Sequence, residues 1–356
     1  MFKTSLFWLR LLLIFLLFGC QVDPALPLQS PAVPIQASVR PPSSATAPVE
    51  AAVREIPLTG PASAQNAELS GLAWFGDWLV MLPQYPERFP SGPDGSFFAL
   101  RRSEIADYLS GKSTALLNPR LIPLTAPGLR ALPGYEGFEA IAIAGARLYV
   151  TIEASAGSMQ AYLVSGEISG DLAGISLQPS PLAKITPQVN ITNMSDEALL
   201  LLPNGVVAFD EVNAAQLNAK PAAHFFSPDL NPAGELAFPN LEYRVTDASM
   251  LDADNRFWVI NYFYPGDTKI APQHDPIAEA YGKGSTHAQS KVVERLVQLE
   301  WKSGRFSLAP VPPVQLQLLP ENTARNWEGL AQWSQQSFLL VTDSFPKTIL
   351  AYVDVH

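Results

Sequence analysis

The feature that most restricts what this chain can become is a pair of short apolar runs that recurs with a side-chain oxygen at each outer end. The segments "FEAIAIAGARLYVTIEAS" (138 to 155), "DEALLLLPNGVVAFDEVN" (196 to 213) and "TDASMLDADNRFWVINYF" (246 to 263) align without gaps. In each, an acidic residue (Glu139, Glu197, Asp247) precedes an alanine and an apolar run, a turn follows, and a second apolar run ends fourteen residues on, at Glu153, Glu211 or Asn261. A fourth copy runs from Glu328 to Asp343 with one extra turn residue. A fifth, "AELSGLAWFGDWLVMLPQ" (67 to 84), places Ser70 and Gln84 at the two aligned positions and Glu68 two residues before Ser70, on the same strand face.

Short apolar runs joined by short turns are antiparallel hairpins, and a hairpin repeated along a chain must bury each copy against the next. Further strand-like runs lie between the copies, among them 95 to 102, 159 to 168, 222 to 228, 292 to 301 and 348 to 355. Copies about 50 to 80 residues apart, each with three or four strands, suit the blades of a β-propeller. The expected fold is therefore all-β, a single propeller of five blades with six as the alternative. A β-sandwich is the competing architecture, but it does not require equivalent strand pairs to repeat. The last copy lacks a fourth strand, and "VREIPLT" (53 to 59) is expected to supply it and close the ring.

In a hairpin the start of the first strand and the end of the second share an edge. All the aligned positions are thus expected on one face, around the mouth of the central channel. The candidate metal ligands are Glu68, Glu139, Glu153, Glu197, Glu211, Asp247, Asn261, Glu328 and Asp343. Carboxylates about 5 Å apart repel by roughly 1 kcal/mol in a water-like dielectric and by about 3 kcal/mol at an effective value of 20. An all-oxygen ring relieves that repulsion by taking a hard cation, calcium more readily than zinc, which prefers histidine or cysteine. Solvated strand ends are the alternative reading.

The longest segment between strands, 264 to 291, follows a second strand and is expected to overhang the same mouth. Within it Asp275 is the expected N-cap of a short helix with Pro276 at its first position and Gly282 past its end. His274 and His287 frame that helix and are candidate general acids or bases, the alternative being a solvated loop. A second short helix is expected over 103 to 113, capped by Ser103. No phosphate loop, nucleophile elbow or zinc helix is present.

At the start of the chain, Lys3 and Arg10 precede a short apolar core, Leu11 to Phe18, shaped like a secretion signal over residues 1 to 19. The run Leu17-Phe18-Gly19-Cys20 resembles a bacterial lipobox, and Cys20 is the single cysteine, so it is expected to carry a lipid rather than a disulfide. Residues 20 to 52 then read as a lipidated cysteine and a Pro-, Ala- and Ser-rich tether that holds a domain of residues 53 to 356 off a membrane. Location in the bacterial cell envelope follows, at the outer membrane or its periplasmic face. With the signal removed, 33 acidic residues stand against 21 basic ones, which excludes nucleic acid as an expected partner. A monomer is expected.

The strand openings E-x-S-G-L at Glu68, F-E-A-I-A at Glu139 and E-G-L-A at Glu328 resemble the "esterase-like activity of phytase" domains and the related SdiA-regulated and senescence-marker or gluconolactonase propellers. The resemblance implies a propeller with an acidic, calcium-binding mouth and hydrolysis of phosphoesters, esters or lactones. Only Glu68, Glu139 and Glu328 carry over at motif level, and the chain lacks the basic cluster that phytate would need. Two functions stay open on these residues: a calcium-dependent hydrolase of a small ester, lactone or phosphoester, and a lipoprotein that binds a ligand or protein on the same face without catalysis.

Overall fold

Residues 48–355 are described in a computed structural model and lie within one compact unit. The signal-like segment, Cys20 and most of the expected tether fall outside the described residues.

The architecture is a β-propeller. Each sequence copy forms an antiparallel hairpin: Leu69–Phe75 with Trp78–Pro83, Tyr135–Ala144 with Arg147–Ser155, Asp196–Leu202 with Gly205–Asp210, Arg244–Ala248 with Arg256–Phe263, and Trp327–Ser334 with Ser337–Thr342. The first strand of every hairpin packs against the first strands of the hairpins on either side, and the succession closes on itself around a channel. Further strands extend each hairpin outward, including Ser96–Arg101, Met159–Ile168, Ala222–Phe226, Val293–Lys302 and Leu350–Asp354, which match the strand-like segments of the sequence to within one residue. The closing strand is present too: Val53–Ile56 pairs antiparallel with Leu350–Asp354, from Val53 opposite Val353 to Ile56 opposite Leu350.

Several outer strands have no clear signal in the sequence. Arg120–Thr125, Ile175–Ile185 and Pro232–Ala237 carry many exposed or polar residues, because a strand at the outside of the propeller has little apolar surface to bury. The first two of them pair in parallel, Ile175 opposite Leu124, and join the first and second hairpin sets into one eight-stranded sheet.

The core lies between neighbouring sheets. Consecutive residues of one strand face opposite ways, so Leu199 and Val206 pack toward the second hairpin set while Leu200 and Val207 pack toward the fourth. Strands buried on both faces need continuous apolar runs rather than alternation, which is why "ALLLLPNGVVAF" reads as it does. Phe209, Phe257 and Phe306 pack together between the third and fourth sets, Phe209 and Phe257 stacked and Phe306 edge-on to both, with centroids 5.3 to 5.9 Å apart. Each such side chain contributes about 1.5–3 kcal/mol by leaving water.

Two boundaries differ from expectation. The first helix is Arg102–Leu109, and the amide of Arg101 donates to the Glu104 carboxylate at 3.0 Å, so the helix begins straight from the preceding strand rather than at a Ser103 cap. Glu50 and Ala51, expected in the tether, form a strand parallel to Val314–Leu316 and belong to the folded domain.

Candidate functional site

The inner strands share a local device. In all of them the pairing to the second strand shifts register close to the aligned position: between Leu69 and Gly71, Phe138 and Ile141, Asp196 and Ala198, Val245 and Ala248, and Trp327 and Gly329. A bulge inserts an unpaired residue and re-aims its side chain. The residue at the irregularity is Ser70, Glu139, Glu197, Asp247 or Glu328, so the sequence repeat of acidic openings is also a repeat of bulges.

A cavity of about 590 Å³ opens at this end of the channel. Of the sequence-predicted ligands, Glu68, Glu139, Glu153, Glu197, Glu328 and Asp343 line it, together with Gln84. Glu139 accepts a hydrogen bond from Gln84 Nε2 at 2.8 Å, and Glu328 accepts one from Asn326 Nδ2, which also lies 3.4 Å from Asp343. Oε1 of Glu153, Oε2 of Glu197 and Oδ1 of Asp343 are buried with no hydrogen-bond partner.

Electrostatics at the mouth follow from burial and crowding. Burial pushes the Glu139 carboxyl well above the usual carboxylate range, and the charges of Glu153, Glu328 and Asp343 push it further. Glu197 is raised by burial, then by Glu211, Glu328 and Glu139. Glu328 is raised by burial and by Asp343. Burial and the neighbouring Glu211 bring Glu153 up to about 8. Crowding so many carboxyls in a buried mouth favours whatever brings a positive charge among them.

Three predicted ligands do not line the cavity. Asp247 turns to backbone: its oxygens accept the amides of Ala248 at 2.8 Å and Leu330 at 2.6 Å, so it fastens the fourth inner strand to the fifth. Asn261 is spent on structure as well, accepting from Arg295 Nε at 2.8 Å and donating to the carbonyls of Glu242 and Arg244. Glu211 is buried in an ion pair with Arg244 Nη1 at 2.5 Å. Ser70 is buried and also lies off the cavity.

The two candidate histidines stand apart from this mouth. His274 is largely exposed, 3.2 Å from Glu279, and His287 is buried with Nδ1 2.8 Å from Glu50 and Nε2 accepting the Glu294 amide. With both ring nitrogens engaged, His287 holds the 264–291 loop against the chain's N-terminal strand. The expected helix in that loop is present as Pro276–Tyr281, capped by Asp275, whose Oδ1 accepts from Ala278 at 3.0 Å.

The structure adds residues the repeat did not reveal. Arg244 lines the cavity and is shared between Glu211 and Asp267, the latter 2.9 Å from its Nε. Tyr85, Tyr262, Tyr264 and Phe345 supply aromatic wall and rim. Tyr85, Tyr264 and Phe345 follow the ends of second strands and Tyr262 lies within one, at offsets that vary among copies, which is why alignment alone misses them; Arg244 stands at the start of its strand, where only a basic residue in an acidic setting marks it.

In chemical kind the lining suits a hard cation: its donors are carboxylate and amide oxygens, several of them unpartnered. As the side chains stand, no group of three or more His, Cys, Asp or Glu among the described residues is arranged to hold a metal ion. Coordination therefore requires glutamate side chains to turn about their own bonds toward a common point.

No protein-family model matches the chain, and no curated protein matches it. Solved structures similar to most of its length include a glutaminyl cyclase of Myxococcus xanthus, at 12% identity over 87% of this chain and 99% of that one with a TM-score of 0.40. A glucose dehydrogenase matches at 12% identity over 85% and 99%, TM-score 0.43. A GH43_1 enzyme from Xanthomonas citri matches at 10% over 84% and 91%, TM-score 0.45. Likenesses this distant carry no chemistry to the present chain, whose propeller rests on its own strand order.

Proposed function

We propose that this protein is an exported, lipid-anchored propeller whose mouth cavity takes a calcium-type cation and hydrolyses a small ester, lactone or phosphoester. The observation that supports the reading is the set of carboxyls, Glu139, Glu153 and Glu197 buried and Glu328 half-buried, gathered on one cavity, where Gln84 donates to Glu139 and Asn326 to Glu328. Burying carboxylates without a compensating charge costs several kcal/mol each, and a chain that repeats the arrangement in copy after copy has a use for it. A cation held by these four would polarise the carbonyl or phosphoryl oxygen of a substrate. The chain's own part is to hold that cation, to exclude water with the wall of Tyr262, and to keep Arg244 neutralised by Glu211 and Asp267 so that it does not quench the site. The anchor at Cys20 and the cell-envelope location belong to the same proposal and rest on the lipobox-like sequence.

The test is a melting curve of the full-length protein against calcium. A ligand that binds only the native state raises the melting temperature with the logarithm of its concentration. Aryl esters, lactones and generic phosphoesters are then screened with calcium and with chelator. A melting curve unmoved by calcium would sink the metal site. A calcium-dependent shift without turnover favours the second reading, a binding lipoprotein, which has the position of His274 and His287 away from the cavity in its favour.

A further inference from the structure

The geometry points to an organic ammonium as the ligand class of the mouth cavity. This inference rests on the proposal that the cavity is a ligand site, and it names what enters beside the cation. A space of about 590 Å³ is the size of pockets that hold small organic molecules, far more than a single ion fills. Its charge is also left over. Arg244 is already paired with Glu211 and Asp267, and Arg88 with Glu68 at 2.5 Å, which leaves Glu139, Glu153, Glu197, Glu328 and Asp343 without an ion pair of their own. A divalent ion offsets two of these five. The unpartnered oxygens of Glu153 and Glu197, on side chains 1% and 6% exposed, are the second sign that something of opposite charge is missing from the set.

The rim supplies the other half of ammonium recognition. Tyr264 and Phe345 are 50% and 65% exposed, and among the described residues they are two of only six large apolar side chains left so open. Both border the cavity. Aromatic faces beside carboxylates attract an ammonium group through the ring quadrupole while covering its carbon substituents. The same rim already shows that arrangement in use: the Arg88 guanidinium sits 4.1 Å from the centre of the Tyr85 ring and against the Glu68 carboxylate. The substrate class that follows is an ester or phosphoester whose body carries a primary or quaternary ammonium.

Calorimetry on the full-length protein decides it with matched probes: choline against its uncharged isostere 3,3-dimethylbutan-1-ol, glucosamine against glucose, and spermidine, each with calcium and with chelator. The charged member of each pair is expected to bind at least tenfold tighter than the neutral one and to weaken as salt is raised. Phe345→Ala and Tyr264→Ala, both at exposed positions, are expected to weaken choline severalfold and leave the calcium-induced melting shift unchanged. If calcium shifts the melting curve while charged and neutral probes bind alike, the ammonium inference is overturned and the cation site stands. Aromatic variants that leave choline binding unaltered, or that lower the calcium shift equally, overturn it as well. If neither calcium nor any probe binds, both readings fall together.

Discussion

The two ends of the channel are built from the same strands and have opposite character. At the mouth the inner strands present Glu139, Glu197 and Glu328; two residues further along the same strands, Ile141, Leu199 and Leu330 line a second cavity of about 380 Å³ at the far end, with Leu72 two residues past Ser70. A step of about 7 Å along a strand thus takes the wall from carboxylate to hydrocarbon. At the far end Leu72, Ile141, Leu199 and Leu330 do what buried side chains ordinarily do, and their burial stabilises the ring. At the mouth, burial works against the fold. The contrast teaches that the propeller is held by its walls and its far end, and that the mouth is sustained by them. The fourth inner strand breaks the pattern from within: Asp247 occupies the same aligned position but satisfies itself on backbone amides, so acidity at that place in the repeat does not by itself decide the role.

Four measurements break or sharpen this contrast. The largest effect is expected at the far end, where Leu199→Asp replaces a side chain 2% exposed with a charge among hydrocarbon. Lost apolar burial and an unpaired polar group should together cost about 4 kcal/mol in denaturant unfolding. A loss below about 1 kcal/mol would mean that the far end is wet and that the two ends do not differ.

Asp247→Asn should come next, destabilising by about 2 kcal/mol, because an amide has one acceptor oxygen where the carboxylate has two and turns an NH₂ group toward a backbone donor. If Asp247→Asn stabilises instead, Asp247 belongs with the strained carboxyls of the mouth and its separation from them is wrong.

The third measurement is stability against pH with chelator present. Glu153 titrates near 8 in the folded protein and near 4.5 as an ordinary glutamate, so the native state holds its proton more tightly than the unfolded chain does. Its contribution is complete below 4.5 and is lost as pH rises toward 8. The melting temperature should fall by several degrees between pH 5 and 8, less steeply in Glu153→Gln, and calcium should flatten the fall. Wild type and variant with equal slopes would return Glu153 to the solvated strand ends.

The smallest effect is expected for Glu197→Gln, about 1 kcal/mol of added stability without metal, through relief of repulsion from Glu211, Glu328 and Glu139. With saturating calcium the sign should reverse. Persistence of the gain under calcium would remove Glu197 from the ligand set.

Most of the architecture was legible because it is written as repetition. A gapless alignment of apolar hairpins requires equivalent surroundings for each copy, and the closing strand at Val53–Ile56 followed from counting what the last copy lacks. The outer strands were not legible, since Pro232–Ala237 and the middle of Ile175–Ile185 are too exposed to carry a period. At the site, Glu68, Glu139, Glu153, Glu197, Glu328 and Asp343, aligned by the repeat, line one cavity. Asp247, Asn261 and Glu211 lie off it because the partner that claims each one, the Leu330 amide, Arg295 or Arg244, arrives from a distant part of the chain. The histidines lie away from it for a related reason: a loop that overhangs a mouth in sequence order need not bring its imidazoles to it, and Glu50 holds His287 elsewhere.

That Glu50 contact has a mechanical meaning. Its carboxylate takes hydrogen bonds from the Ser285 hydroxyl, from the amide and hydroxyl of Thr286, and from the amide and ring of His287. Immediately after it, Ala51 lies along Leu316 in one sheet and Val53–Ile56 along Leu350–Asp354 in the next. Any pull on the chain from upstream of residue 48 therefore reaches this knot first and meets a cluster of bonds loaded together, backed by two sheets, before it can begin to peel the closing strand. The seam on which the closed ring depends is thereby shielded from the end of the chain where a leash would tug.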